Sequence, residues 1–399
     1  MNLHSDYPFW MISEGLKHSF PTLLENLTTD VLVIGGGITG ALISHKLCKA
    51  GLQVTLVEKQ HVAHGSTSAS TAMLQYEIDT PLFKLSKKSG EQNAQRAYAL
   101  CLEAIAKIET ICEKFPDKAD FERHPSLWYA TYKKHVKEIL EPELKARRQM
   151  GIAVRLVSEK NIQDNFGFSA PAGLLSEDAA QVNPYLMTNF LLEEVAAMGG
   201  RIHELTEIVQ LTTSDRSVTV ETKNGHKIKA RYVVMAAGYE SQKFLDTNFS
   251  RVHSSYAIIS KPLPRKNQWY KNSLIWETTT PYHYLRTTGD NRIIVGGRDE
   301  NFYSPDKRDR LISRKSTELL QKFNKLFPEI PFETDFAWAG TFSETKDGLP
   351  YIGPYDHKRI LFAMGYGGNG ITFSVIAAEI LTDLIQGKKN TDAHIFAFA

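Results

Sequence analysis

Residues 29–59 read TDVLVIGGGITGALISHKLCKAGLQVTLVEK, and the fold of the chain follows from them. Val31–Ile34 is an unbroken apolar run, the mark of a strand covered on both faces. Gly35, Gly37 and Gly40 then give G-x-G-x-x-G. The first glycine permits a tight turn, the second lets a pyrophosphate approach the backbone, and the third lets a helix pack close to the strand. That helix starts near Ile38, carries Ile38, Leu42, Ile43 and Leu47 on one face, and stops at Gly51. Its first N–H groups, at Ile38 and Thr39, are ready for an anion above the turn. Val54–Val57 is a second buried strand, ending in Glu58 and Lys59. A carboxylate 18 positions beyond Gly40 is placed to accept hydrogen bonds from a ribose diol. It also disfavours a 2′-phosphate, because two anions would then face each other. Strand, turn, helix, strand and terminal acid together specify a dinucleotide cradle far better than the glycines alone.

Working outward, a length of 399 residues fits two or three domains. A hydrophobic share of 42% and a charged share of 23% are those of a globular protein. The formal charge is +2 with basic residues spread along the chain, which argues against nucleic acid as a partner. Cys48, Cys101 and Cys112 fall in helix-like stretches without C-x-x-C, so neither a disulfide framework nor a metal site is expected, and a reducing, cytoplasmic setting fits. Residues 1–28 have neither signal-peptide nor transit-peptide character, and no apolar run reaches the roughly 18 residues of a membrane span. They read as an N-terminal arm pinned by burial of Tyr7, Phe9, Trp10 and Phe20. The sequons at Asn26 and Asn248 are expected to be idle.

After Glu58 comes HVAHGSTSASTAMLQYEID, a loop rich in small hydroxyl residues, with Ser66, Thr67 and Ser70 able to donate to phosphate. Residues 84–115 form a long helix or a broken pair, with Leu102, Ile105, Ile108, Cys112 and Phe115 on one face and Pro116 as the stop. Strand Ser126–Tyr132, a helix over 134–149, strand Val154–Val157 and a helix over 185–198 follow. Arg201–Leu205, Ser217–Thr222 and Ile228–Ala230 read as strands, with a hairpin turn at Asn224-Gly225. Tyr232–Gly238 is a second fully apolar strand that brings Ala237 and Gly238 to the nucleotide. From residue 252 the strands alternate and are rich in aromatics, which reads as an antiparallel sheet. A helix over 306–326 and strand Asp335–Thr345 complete it. Ile360–Ile385 is strand, glycine loop and helix. Gly365, Gly367 and Gly370 repeat the glycine spacing, but no strand with a terminal acid follows, so no second dinucleotide site is expected. What the loop offers is the positive end of a helix.

GGGITG with Glu58, the loop GSTSASTAML, the strand VVMAAG, and WAGTFSETKDGLPYIG followed by ILFAMGYGGNG occur in that order. Together they resemble the D-amino-acid oxidase, glycine oxidase and sarcosine oxidase superfamily of FAD-dependent oxidoreductases, from Asp30 to Ile385. The resemblance implies an α/β architecture: a Rossmann-like FAD-binding domain from residues 29–82, 150–250 and 340–390, and an α+β substrate domain with an antiparallel sheet from 83–149 and 251–339. It implies pyrophosphate contacts from Gly35, Gly37 and Gly40 and a ribose contact from Glu58, with Lys59 beside it. Ser66, Thr67, Ser70, Thr71, Ala72, Met73 and Leu74 run past the phosphates and ribityl chain. Val209 meets the adenine, Ala237 and Gly238 the nucleotide, and Gly340, Gly367, Gly368, Asn369, Gly370 and Ile371 the flavin. The sarcosine oxidases' flavin-attaching cysteine is missing from AGTFSETKDG, so FAD is expected to be noncovalent. Phe342 stands where the amino-acid oxidases carry a carboxylate-binding arginine, which counts against a simple α-amino acid.

The function expected is oxidation of a C–N bond of an amine or N-substituted amino acid by hydride transfer to flavin N5, with oxygen or another acceptor taking the electrons. Trp276, Tyr282, Tyr284 and Trp338 lie on strands over the flavin, the two tryptophans as core. Tyr256 and Tyr284 are the candidates for orienting substrate through a phenol hydroxyl. Glu344 shares the strand face of Gly340 and Phe342 by the period of two and is the candidate partner for a substrate ammonium. The alternatives are a 2-hydroxy-acid or polyol dehydrogenase on the same scaffold, a tRNA-modifying flavoprotein domain, and a non-catalytic flavin-binding protein.

Overall fold

The computed structural model describes residues 2–5, 7–264 and 268–398. Two sheets carry the chain. The first has the spatial order Tyr351–Pro354, Ile360–Met364, Lys227–Met235, Leu27–Ile34, Val54–Val57, Arg201–His203. From Ile360–Met364 onward all neighbours are parallel. A ribbon of Ile208–Thr213 and Val218–Thr222 hangs antiparallel on Lys227–Met235. The apolar run of the opening stretch has its expected cause: Val31, Leu32 and Val33 are wholly buried because the sheet is covered on both faces. Val31 and Val33 join helices Ile38–Lys49, Glu91–Cys112 and Gly370–Ile385 in one core. Leu32 and Ile34 pack on the other side with Val218 and Val220 of the ribbon.

The second sheet runs Thr334–Glu344, Arg251–Ser260, Ile293–Glu300, Tyr284–Thr287, Leu274–Glu277, Glu122–Tyr129, Ala172–Gln181, Met73–Leu74. It is antiparallel apart from the pair Leu274–Glu277 and Glu122–Tyr129. Tyr256, Ile258, Val295 and Ala339 are buried with Leu319 and Phe323 of helix Ile312–Leu326, which closes its back. Ala257, Ile259 and Trp338 point the other way, towards Phe9 and Trp10 of the arm.

Several boundaries differ from expectation. Val154–Ser158 and Ala172–Gln181 pair with each other and belong to the second sheet, as do residues 340–344, although chain order grouped both segments with the nucleotide-binding part. An apolar strand carries no local mark of which sheet will accept it. Ile228–Ala230 and Tyr232–Gly238 are one strand, Lys227–Met235, and the span 306–326 breaks at Leu311 into two helices. In the arm, Phe9 and Trp10 are buried, but Tyr7 is 70% exposed. His4 bridges to Gly340, and Ser5 N–H donates to Ala339 O, so the arm lies along the edge strand Thr334–Glu344. No helix among the described residues is long and apolar enough to cross a membrane.

Candidate cofactor and substrate site

A cavity of about 1220 Å³ is lined by residues of both sheets and of the arm. That exceeds the roughly 300–1,000 Å³ of a drug-sized pocket, leaving room for a dinucleotide and a second small molecule.

The glycine turn forms one end. Gly35 has φ 116°, and a Cβ there would lie 2.4 Å from Ala236 O. A Cβ on Gly40 would lie 1.9 Å from Gly35 O, so this residue brings helix and turn together. Gly40 does not reach the cavity wall, which corrects its expected pyrophosphate contact. Gly37 does line the cavity, and its Cβ would meet only Thr67 Oγ1, at 3.0 Å. The helix that follows has Gly37 at its N-terminal cap position, with no side chain to cap it, and carries no acid in its first turn, so no charge of its own offsets its positive end. Thr67 Oγ1 accepts the Ile38 N–H at 3.0 Å, which leaves the hydroxyl proton free to be donated.

Glu58 lies at the strand end as expected. Its carboxylate accepts Gly36 N–H at 2.8 Å and Gln60 N–H at 2.9 Å. Burial raises its pKa, and those two hydrogen bonds oppose the rise. Lys59 pairs with Glu240. Ile38, Thr39, Ser66, Ser70, Thr71, Ala72, Met73, Val209, Ala237, Gly238, Gly340, Gly367, Gly368, Asn369, Gly370 and Ile371 all line the cavity. Leu74 does not: it is 1% exposed, and its side chain belongs to the core, because alternation along Met73–Leu74 sends only one of the pair inward. Helix Gly370–Ile385 likewise begins without a side-chain cap or first-turn acid, so a second positive helix end meets the cavity.

The wall from the second sheet is aromatic and acidic. Tyr284 lies against Gly296, where an added Cβ would overlap its ring at 2.2 Å. Tyr282 OH donates to Asp79 Oδ1 at 2.9 Å, and Asp79 Oδ2 accepts Gly368 N–H at 2.7 Å. Phe342 lines the cavity and stacks on His253 at 5.2 Å. Trp338 donates its indole N–H to Ala69 O at 2.9 Å, while Trp276 stacks on Trp128 at 4.7 Å and stays outside the wall.

Two candidate substrate residues are placed otherwise than expected. Tyr256 borders the cavity, but its ring belongs to the core behind the sheet, with Lys315 Nζ 5.5 Å from its centroid. Its strand parity is opposite to that of Ser255 and Ala257. Glu344 shares the face of Gly340 and Phe342, but it stands one step beyond the cavity, 48% exposed in its side chain and 3.8 Å from His253 Nε2. Burial of its remaining part, then Asp79, raises its pKa.

Sequence reasoning missed Asn2, Leu3 and His4, Gln75, Asp79 and Asp299, all of which are in or against the cavity wall. Buried Arg308 holds the arm there, donating to the carbonyls of Asn2 and His4 and to Thr341 Oγ1. The Gly296-Gly297 pair before Arg298-Asp299 was the one available signal for Asp299, since glycine inside a strand marks a bulge or a close approach.

Comparison with known proteins bears on the same residues. The family model described as "FAD dependent oxidoreductase" (DAO) matches residues 30–384. The putative Rieske 2Fe-2S iron-sulfur protein YhfW of Bacillus subtilis (strain 168) is 27% identical over 397 residues, covering 97% of this chain and 74% of the relative. Gamma-glutamylputrescine oxidoreductase of Escherichia coli (strain K12) is 24% identical over 393 residues, covering 95% and 88%. The crystal structure of glycine oxidase from Geobacillus kaustophilus superposes with a TM-score of 0.77 at 21% identity, covering 93% of this chain and 98% of that one, a likeness of fold. The glycine turn, the acid at the second strand end and two uncapped helix N-termini on one cavity fit a flavin dinucleotide. The chain belongs to the DAO family of FAD-dependent oxidoreductases, and FAD is its cofactor.

Proposed function

We propose that this enzyme oxidises a carbon–nitrogen bond of an amine or of an N-substituted amino acid. The observation that carries the reading is the charge of the cavity wall. Lys59 and Lys243 are its only basic lysine or arginine side chains among the described residues, and both bond to Glu240, at the nucleotide end. The wall from the second sheet has no guanidinium to hold a substrate carboxylate; it has Phe342, Tyr282, Tyr284 and Asp299. A cationic nitrogen matches that wall, and a 2-hydroxy acid, whose only charge is its carboxylate, does not. The relative named for gamma-glutamylputrescine supports the reading, since that name denotes an amine.

Bound FAD supplies at N5 an acceptor for the hydride that leaves the substrate carbon. The residues of the chain supply position. Helix N-termini at Ile38 and Gly370 and the hydroxyl of Thr67 hold negative charge on the cofactor side. The Tyr282–Asp79–Gly368 hydrogen bonds tie the substrate wall to the glycine loop, fixing one against the other. The aromatic side chains exclude water from the reacting carbon. Loss of hydride from carbon and of a proton from nitrogen leaves an imine, which water hydrolyses to a carbonyl compound and an amine. The test is anaerobic reduction of purified holoprotein with panels of primary amines, secondary amines, N-substituted amino acids and 2-hydroxy acids. Bleaching of the flavin by an amine with release of an aldehyde or keto product is expected. Bleaching by 2-hydroxy acids or polyols alone would assign the rival dehydrogenase reaction.

A further inference from the structure

Strand Arg251–Ser260 has one residue, Ser255, between Ser254 and Tyr256. Opposite it, strand Ile293–Glu300 has two, Arg298 and Asp299, between Glu300 and Gly297. This is a β-bulge, and Arg298 adopts φ 60° within it. Its effect is a change of sign. Regular alternation would place position 298 on the cavity face with Gly296 and send position 299 to the back. The extra residue reverses this. Arg298 Nε lies 3.4 Å from Glu318, and Glu300 bonds Lys315 at 2.5 Å, both on helix Ile312–Leu326 behind the sheet. Asp299 lines the cavity. The cavity thus receives a carboxylate where unbroken pairing would have delivered a guanidinium.

Asp299 Oδ1 is shut off from solvent and accepts no hydrogen bond among the described residues. Burial pushes its pKa up to about 6; the Ser255 hydroxyl opposes the rise, and Asp79 adds to it. Of the neighbouring carboxylates, Asp79 accepts hydrogen bonds from Tyr282 OH and Gly368 N–H, and Glu344 stands at the rim, half-exposed and 3.8 Å from His253 Nε2. Tyr282 and Tyr284, with ring centroids 5.9 Å apart, share the wall, and aromatic rings attract a cation that reaches their faces. Besides the Ser255 hydroxyl, only the more distant Lys315 eases this carboxylate; a carboxylate so placed on a cavity wall is stabilised by an incoming cation, and it repels an incoming anion.

We propose that Asp299 is the specificity residue of the substrate site, its carboxylate receiving the cationic nitrogen of an amine with no carboxylate beside the reacting carbon. This rests on the C–N oxidation reading. The test separates the two by using a probe that cannot be oxidised: tert-butylamine, whose nitrogen-bearing carbon has no hydrogen to lose. Its binding to oxidised holoprotein is read by flavin difference absorbance, beside tert-butanol as the neutral isostere, in wild type and Asp299→Asn. The expected result is a Kd for tert-butylamine that rises about 30-fold or more in Asp299→Asn, with FAD content and tert-butanol binding unchanged. Equal tert-butylamine affinity in the two proteins overturns the proposal, even if amines reduce the wild-type flavin. Failure of every amine to reduce wild type, with tert-butylamine still bound through Asp299, would overturn only the reaction. Should Asp299→Asn not retain FAD, wild type decides: a preference of tert-butylamine over tert-butanol by tenfold or more supports the proposal, and equal binding overturns it.

Discussion

Substituting Gly40 and Gly37 should break the same motif in two different ways, because the two glycines have different neighbours. An alanine Cβ at position 40 would sit 1.9 Å from Gly35 O, where contacts below 3.0 Å do not occur, so one side must retreat by about 1.1 Å. Neither can do so freely. Gly35 N–H is bonded to Val57 O at 2.9 Å, and Ala236 O blocks the turn from the other side. The helix is held by Val33, Ala41 and Leu42 in the core. The cost is that of overpacking backbone on backbone, about 3 kcal/mol, and it falls on the apoprotein. At position 37 the obstacle is only Thr67 Oγ1 at 3.0 Å, a side chain that can rotate. Gly37→Val should therefore cost the apoprotein about 1 kcal/mol, chiefly the bond from Ile38 N–H. Its branched side chain instead fills space facing the cavity.

The assay is denaturant unfolding of apoprotein with and without FAD. At FAD equal to 100 times the wild-type Kd, wild type should gain about 2.7 kcal/mol. A 100-fold loss of affinity in Gly37→Val reduces the gain to about 0.4 kcal/mol at the same FAD concentration. Gly40→Ala should show a destabilised apoprotein, whatever FAD it still binds. A Gly37→Val protein with the full FAD increment, or a Gly40→Ala apoprotein as stable as wild type, would refute the assignment of close approach to one glycine and packing to the other.

Acid precipitation of the holoprotein should leave a colourless pellet and free FAD, since no cysteine lines the cavity and strand Thr334–Glu344 has none; yellow pellet would mean a covalent link. Burial works to raise the pKa of Glu277, but His283 at 2.5 Å and Lys322 at 3.0 Å hold it low, at about 2. A depressed carboxylate contributes stability above its unfolded value, here 4.5, and loses it as pH falls towards 2, a change of roughly 3 kcal/mol. Unfolding free energies of Glu277→Gln from pH 6 to pH 3 should therefore lack the steepest part of the wild-type acid limb. Glu344→Gln, at a half-exposed pair with His253, should change kcat/KM for a diamine and for a neutral-tailed amine alike by no more than about 1 kcal/mol; a selective loss for the diamine would return Glu344 to the substrate site.

Much of the cofactor end was legible because its chemistry is local. A tight turn, a close backbone approach and an acid at the next strand end all lie within residues 35–58, and each has a residue-type requirement that spacing exposes. The arm was not legible. What brings Asn2 and His4 to the cavity is the buried guanidinium of Arg308, more than 300 residues away, and nothing near residue 4 announces it. The same holds for Asp79, whose place depends on Tyr282 and Gly368 meeting it. Sheet membership of residues 154–181 was illegible for a related reason, since hydrophobic alternation fixes a strand but not its neighbours.

The substrate end shows where counting along a strand succeeds and where it fails. Parity from Gly340 correctly carries Phe342 to the cavity, and it carries Glu344 to the same face. It says nothing about length, and Glu344 lies past the cavity's rim, opposite Arg251. On the adjoining strand the same arithmetic would have pointed Arg298 inward and predicted an anion-binding site. One extra residue reverses that answer without altering composition, hydrophobicity or charge. Gly297 allows it, because its φ of 129° is closed to a side chain, whose Cβ would meet Tyr282 O at 2.4 Å. A Cβ at 297 would therefore push on the backbone beside the Tyr282 ring as well as on the bulge. The sign of the charge on this part of the cavity wall is thus set by backbone conformation at Gly297 and Arg298. Strand parity holds only between irregularities, and here the irregularity lies in the cavity wall.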